Sequence, residues 1–334
     1  MTIRSPDLIA SLVASFVLLA ACEKTPKPDI AAPPKDPVVV YFAGEDEAPL
    51  RRVLDHYADV SGVPVSIRRG SPRGIVDDLI ADNIIPPADV LVTTSVVDIS
   101  RAAEEGALRP LFLPAIKERT PAWLRDPDDL WFGLSYRPAV IVYGTNAADT
   151  AEIPTYADLA EAGLGGQLCL SSSKNAANRS VIATLVDSMG VRPAEIVVRG
   201  WLANLALPVF EKEDQLVAAL GSGECRYGIA SSASVTKGNA IGPGATLRFS
   251  IPVPAAVDIT GVGVARHARD PNGAAGLVEW LFQTDVLSEF ALTTWSYPAI
   301  GLAGDKQEIS VRSAGLVAWH EKDAAKLAER ARYP

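Results

Sequence analysis

Four short apolar runs in this sequence are each followed by side chains that could do chemistry. Phe42 gives way to Ala43-Gly44-Glu45-Asp46-Glu47, Val92 to Thr93-Thr94-Ser95, Leu170 to Ser171-Ser172-Ser173, and Ala230 to Ser231-Ser232-Ala233-Ser234. Hydroxyls and backbone N–H groups at such turns can coordinate a small polar or anionic ligand. Asn178 falls where a helix after the third cluster should begin, and the amino end of a helix offers unpaired donors and partial positive charge. The plainer alternative is that these serines cap helices and solvate turns. Glu45 and Asp46 supply carboxylates for a cation such as a polyamine, a basic amino compound or a divalent metal. They suit a solvated first helical turn equally well. Arg137, beside Tyr136, either clamps an anion with its planar fork or pairs with an acid where the chain crosses between lobes, and the pairing is the reading preferred here.

Catalysis is harder to build. There are three histidines: His56 on the polar side of an amphipathic segment, His267 in the run ARHARDPNG, and His320 near the carboxyl end. None has metal-ligand spacing with another His or Cys. Gly221-Ser222-Gly223 lacks the strand-to-helix elbow of a hydrolase nucleophile. The sequence therefore points to no catalytic residue, no metal site and no cofactor. A cleft hydrolase, or a sensor that signals without transport, is the alternative to a binding protein.

The elements that must position these groups follow from periodicity. Val38 to Phe42 reads as a strand, and Leu50, Val53, Leu54, Tyr57 and Ala58 recur with helical spacing. Gly62 stops that helix, and Val63 to Ile67 resumes a strand. Further buried-strand candidates are Ala88 to Val92, Val140 to Tyr143, Gln167 to Leu170, Tyr227 to Ala230 and Gly261 to Ala265, separated by helical patterns. The alternation argues for an α/β fold with parallel pairing, in which ligands sit beyond the carboxyl ends of the strands. That is where the serine and acidic clusters fall. With 334 residues, 48% apolar, two lobes are expected. A net charge of −9 without a basic run leaves no footprint for nucleic acid.

Arg4 precedes an uncharged stretch from Leu8 to Ala21 that ends at Cys22. Fourteen residues rise only about 21 Å as a helix, too short for a bilayer core of about 30 Å, so residues 1–21 read as a signal peptide. Leu19-Ala20-Ala21-Cys22 resembles the bacterial lipobox, whose cysteine takes a diacylglycerol. Residues 22–37 hold Pro26, Pro28, Pro33, Pro34 and Pro37, and read as an extended tether of about 45 Å. The expected location is periplasmic, lipid-anchored to a bacterial membrane.

The order of segments resembles the periplasmic substrate-binding proteins of ABC importers, specifically the ferric-iron-binding family. The landmarks are PADVLVTTSVVDISRAAEEGAL from Pro87, WFGLSYRPAVIVYGTN from Trp131, PTYADLAEAGLGGQLCLSSS from Pro154, NRSVIATLVDSMG from Asn178 and DQLVAALGSGECRYGIA from Asp214. The resemblance implies a two-lobed type 2 periplasmic binding fold, with two mixed sheets and flanking helices joined by hinge strands. Lobe 1 would comprise residues 38–137 plus about 255–302, lobe 2 residues 138–254, and residues 303–334 a helical segment packed on either lobe. It implies a small-molecule or ion ligand, an ABC permease in the inner membrane as partner, and a monomer. The family grips ferric iron with paired tyrosines, at positions held here by Ala233 and Ser234, and some members place another at Ala177. Neutral serines do not replace the charge of phenolates, so iron held in that way is not expected.

Lipidation of Cys22 leaves Cys169 and Cys225 in an oxidising compartment, which predicts a disulfide between them. Two buried thiols acting as small apolar groups are the alternative.

Overall fold

A computed structural model describes residues 36–44, 46–81, 87–147, 152–242, 246–300 and 318–334. Cys22, the expected signal peptide, most of the expected tether and Glu45 lie outside the described residues. In the first half, β1 (Val38–Ala43) pairs in parallel with β2 (Val65–Gly70) and β3 (Val90–Thr93). All six residues of β1 are buried, as its unbroken apolar run requires of a strand covered on both faces. α1 (Ala48–Ser61) buries Leu50, Val53, Leu54 and Tyr57 at the expected spacing, and Gly62 ends it with φ 64°, a left-handed turn that favours glycine. α2 (Pro72–Ala81) and α3 (Val96–Glu104) return the chain to the sheet, followed by β4 (Leu108–Arg109) and α4 (Pro114–Arg119).

β5 (Phe132–Tyr143) then runs for 12 residues from the first sheet into the second. There it meets β7 (Tyr227–Ser231) and β8 (Arg248–Ser250), while β6 (Leu168–Leu170) pairs in parallel with β7. α5 (Ala176–Met189), α6 (Val191–Ala203), α7 (Glu213–Ser222) and α8 (Ser232–Ile241) surround this second sheet. β9 (Val257–Ala265) returns antiparallel to β5 and β3. α9 (Pro271–Leu281), α10 (Thr284–Thr293) and β10 (Tyr297–Pro298) complete the first half, and α11 (Glu321–Ala331) packs on α5 and α6. The strand order β2-β1-β3-β9-β5-β7-β6 passes through both sheets, which are mixed because β5 and β9 run against their neighbours.

Alternation along β5 sorts its surroundings. Ala139, Ile141 and Tyr143 belong to the core formed by α5, α6 and α11, whereas Val140 and Val142 belong to the one formed by α7 and α8. β9 and β8 occupy one edge of β5; β7 and β10 occupy the other, β7 opposite Ala139–Tyr143 and β10 opposite Ser135 and Tyr136.

Cys169 and Cys225 form a disulfide with Cα atoms 5.8 Å apart, tying β6 to the turn that enters β7. Both are buried, and the bridge spans 56 positions of sequence. Closing such a loop restricts the unfolded chain by about 4 kcal/mol in the chain-entropy description. The double replacement Cys169→Ala/Cys225→Ala is expected to unfold at lower denaturant, by about 2–4 kcal/mol. Urea melts of the oxidised, reduced and doubly substituted proteins check this; identical midpoints for all three would show that the bridge contributes nothing.

Candidate functional site

β3 runs antiparallel to β9 and β7 antiparallel to β5, so the carboxyl ends of β1 and β3 point toward those of β6 and β7 across the hinge. The turns that follow them therefore bound one interlobe region. Several of their polar groups are already committed within the chain.

In the second half, Ser171 is fully buried, and its Oγ accepts from Asn178 Nδ2 at 3.0 Å. The same amide donates to the carbonyls of Ser171 and Ser172 at 2.9 and 3.1 Å. Ser172 Oγ donates to the carbonyl of Pro334 and Ser173 Oγ to that of Tyr333, each at 3.0 Å, and Ser173 N–H adds a 2.7 Å bond to Pro334. Tyr333 answers by donating its phenol to the Ser171 carbonyl at 2.7 Å. The serine triplet thus receives the chain's own Tyr333-Pro334 segment. Burial, with the Glu213 carboxylate nearby, holds the Tyr333 phenol well above its ordinary range, so it stays protonated.

The β7–α8 turn is also occupied. Ser231 caps α8, accepting from Ser234 N–H at 3.2 Å. Glu213 Oε2, from the first turn of α7, accepts from Ser231 Oγ at 2.9 Å, Ser234 Oγ at 2.6 Å and Ser231 N–H at 3.2 Å. A protein carboxylate therefore fills the position at the amino end of α8 where an anion would bind. Ser232 is buried beside it, and its hydroxyl has no hydrogen-bond partner among the described residues.

In the first half, Asp46 is exposed and accepts the Ala48 N–H at 3.0 Å, the solvated helix start that its position also allowed. Thr94 N–H donates to the Ala43 carbonyl at 3.0 Å, and Ser95 leads into α3. Arg137 lies where β5 leaves the first half: its Nη2 donates to the Thr94 carbonyl at 2.6 Å and to Asp258 Oδ2 at 3.1 Å. Asp258 Oδ1 also accepts from Val96 N–H at 3.2 Å. Its whole strand is buried, and a buried charge requires such partners.

Beside this pair, a narrow crevice between the lobes is lined by Ser95, Val97, Arg179, Ser180, Asp258 and Glu321. Arg179 approaches Glu321 at 3.7 Å. Burial raises the Asp98 carboxyl above its ordinary 3.8, with Asp258 and Glu321 adding to the rise while Arg179 and Arg101 oppose it. Among the described residues, no group of three or more His, Cys, Asp or Glu side chains is arranged to hold a metal ion.

Glu213, Asp258, Asp98 and Tyr333 were not among the residues singled out by sequence. Asp258 carried a signal, as the only charge in the apolar run from Ile251 to Ala265. Glu213, in the polar run Glu211-Lys212-Glu213-Asp214, carried none.

Residues 38–290 match the family model of the bacterial extracellular solute-binding proteins. The chain belongs to that family. Iron uptake protein A1 of Synechocystis is 26% identical over 324 residues, covering 91% of this chain and 87% of that protein. The solved Trichodesmium protein in complex with iron and citrate superposes with a TM-score of 0.79 at 25% identity, covering 89% of this chain and 99% of that one. The ferric binding protein of Campylobacter jejuni, at 19% identity and a TM-score of 0.77, shares the fold over 89% of this chain and all of its own. This solute-binding protein thus belongs to a family of substrate binders rather than enzymes, and it shares its two-lobed fold with the iron-binding proteins just named.

The raised Asp98 carboxyl sets a pH dependence. Because the folded state holds that proton more tightly than the unfolded one, its contribution to stability is full below about 3.8 and is lost as pH rises through the folded value. Asp98→Asn, which cannot ionise, should therefore melt higher than the parent at pH 7, with the gain shrinking as pH falls toward 4. Thermal melts across that interval check it; a gain independent of pH would assign the effect to something other than ionisation.

Proposed function

We propose that this chain is the lipid-anchored receptor of an ABC importer, which captures a small polar or ionic ligand between its lobes without tyrosine-ligated ferric iron. The observation that carries this reading is the first turn of α8. The positions where the resemblance expects paired phenols are Ala233 and Ser234, and Ser234 Oγ is spent on Glu213 at 2.6 Å. Ala177, at the further position, is buried in the core of the second half. Tyr333, near Glu213, donates to the Ser171 carbonyl, and its phenol is held in the protonated form that ligates ferric iron poorly.

The ligand acts by bridging the two lobes. Only a solute with greater affinity for the closed than for the open arrangement shifts that equilibrium, so contacts on both sides of β5 and β9 are required. Residues 38–137 with 255–302 form the first lobe in this reading and residues 138–254 the second, and the closed receptor is what a membrane permease recognises. Cys22 carries the lipid, and the proline-rich tether lets the body reach the permease from a periplasmic anchor.

Adding a ferric salt to the purified protein is expected to give no visible phenolate-to-iron charge-transfer band. A purple or red complex at one iron per chain would overturn the reading. For the anchor, labelled palmitate should enter the parent protein, and Cys22→Ser should leave the membrane fraction, since each buried CH₂ of an acyl chain contributes about 0.8 kcal/mol. Equal retention of the substituted protein would instead assign the anchoring to the apolar stretch before Cys22.

A further inference from the structure

We propose that the crevice between α3 and α5 binds the carboxylate of a small organic acid, taken by the Arg179 guanidinium together with the hydroxyls of Ser95 and Ser180. The inference rests on the ligand lying between the two halves, and it adds the ligand's chemical class and the side chain that recognises it.

Spacing along α5 builds one wall of the crevice. Ala176, Arg179, Ser180 and Ala183 stand at i, i+3, i+4 and i+7, so they share one stripe of the helix, and all four line the cavity. Ser95 and Val97 from the start of α3 line it from the first half, with Asp258 of β9. The cavity is about 10 Å³, room for one water, so a carboxylate enters as the halves part and is enclosed as they close.

The donors that converge there are unspent. Among the described residues the Arg179 side chain makes no hydrogen bond: Glu321, at 3.7 Å, is beyond that reach, and Arg179 Nε is buried without a partner. A buried donor left in that state is costly unless something comes to meet it. Ser95 is 8% exposed and Ser180 6%, and neither hydroxyl has a hydrogen-bond partner among the described residues. One belongs to each half. Both α3 and α5 also begin without a side-chain cap, so first-turn N–H groups and partial positive charge add to the set. α8 differs, because Ser231 and Glu213 already occupy its amino end.

The acids nearby do not cancel this set. Asp258 gives Oδ2 to Arg137 and Oδ1 to the N–H groups of Val96 and Ile259, so it makes no call on Arg179. Asp98 does not line the crevice, and burial shifts its carboxyl toward the neutral form. Glu321 is the one rival, near Arg179 but not hydrogen-bonded to it. A guanidinium fork matches two coplanar oxygens, so its free edge and the narrow slot suit a planar carboxylate better than a tetrahedral anion. A ligand held by Arg179 and Ser180 on one side and Ser95 on the other touches both halves, as closure requires.

The test is isothermal titration of the full mature protein with pyruvate, L-lactate and succinate, each alongside its neutral amide, and with inorganic sulfate. At least one carboxylate is expected to bind saturably at one per chain, with its amide and sulfate at least tenfold weaker. Arg179→Met, which keeps the stem but removes the fork, should weaken that carboxylate at least tenfold. Glu321→Gln, which removes the rival acid, should tighten it at least threefold, a gain that a merely structural Arg179–Glu321 contact would not give. Circular dichroism melts report folding, and Arg179→Lys, expected to weaken binding in the same direction, serves if Arg179→Met is misfolded. No saturable binding of any of the three acids, equal binding of acid and amide or of acid and sulfate, unchanged affinity in a folded Arg179 variant, or no gain in Glu321→Gln overturns the proposal. A charge-transfer band with ferric salt would instead overturn the non-phenolate reading on which it stands, so the two failures are distinguishable.

Discussion

The arrangement depends on one buried ion pair. Asp258 sits in a strand with no exposed residue, where an unpaired carboxylate would be strongly disfavoured, and Arg137 on the adjacent hinge strand neutralises it. The geometry does more than neutralise. Arg137 Nη2 reaches the Thr94 carbonyl and Asp258 Oδ1 takes the Val96 N–H, so the pair bolts the β3–α3 turn of one lobe to the strands that cross into the other. The ends of β1 and β3 are thereby anchored to the strands that lead on to β6 and β7.

Charge accounting explains how the amino end of α8 is satisfied. It carries partial positive charge. A carboxylate from the neighbouring helix lies there, and two serines supply the hydroxyl donors that hold it. The arrangement is coupled: Glu213 without the serine hydroxyls would lose two of its three donors, and the hydroxyls without Glu213 would lose their shared acceptor. Meanwhile Ser171, Ser172 and Ser173 seat the Tyr333-Pro334 segment, so α11 becomes part of the core that supports α5.

Much of this architecture is legible in the sequence because it is written in local patterns. β1, β3, β6 and β7 are short apolar runs, α1 shows a clean helical repeat ended by Gly62, and Cys169 and Cys225 are left over once Cys22 is assigned. The first half of β5 escaped because Phe132 to Arg137 mixes glycine, serine and arginine, and those residues are tolerated only through long-range partners. β10 is two residues long and exists by pairing with Tyr136. The same limit applies to the site. Which serines are free depends on Glu213, eighteen positions before Ser231, and on Tyr333, more than 150 after Ser173, and no local periodicity records such pairings.

The two faces of β5 divide the labour that a closing receptor requires. On the face of Arg137, polar groups are consumed by Asp258 and by backbone, and the adjoining crevice carries opposed charges from α3, α5 and α11. Such a face resists change, since separating its partners would expose buried charge. On the face of Tyr136 the strands of the first half carry a half-buried aromatic stack instead of an ion pair, so less buried charge would be exposed by movement on that side. A solute that touches both halves then decides which arrangement is populated, because only differential affinity shifts such an equilibrium.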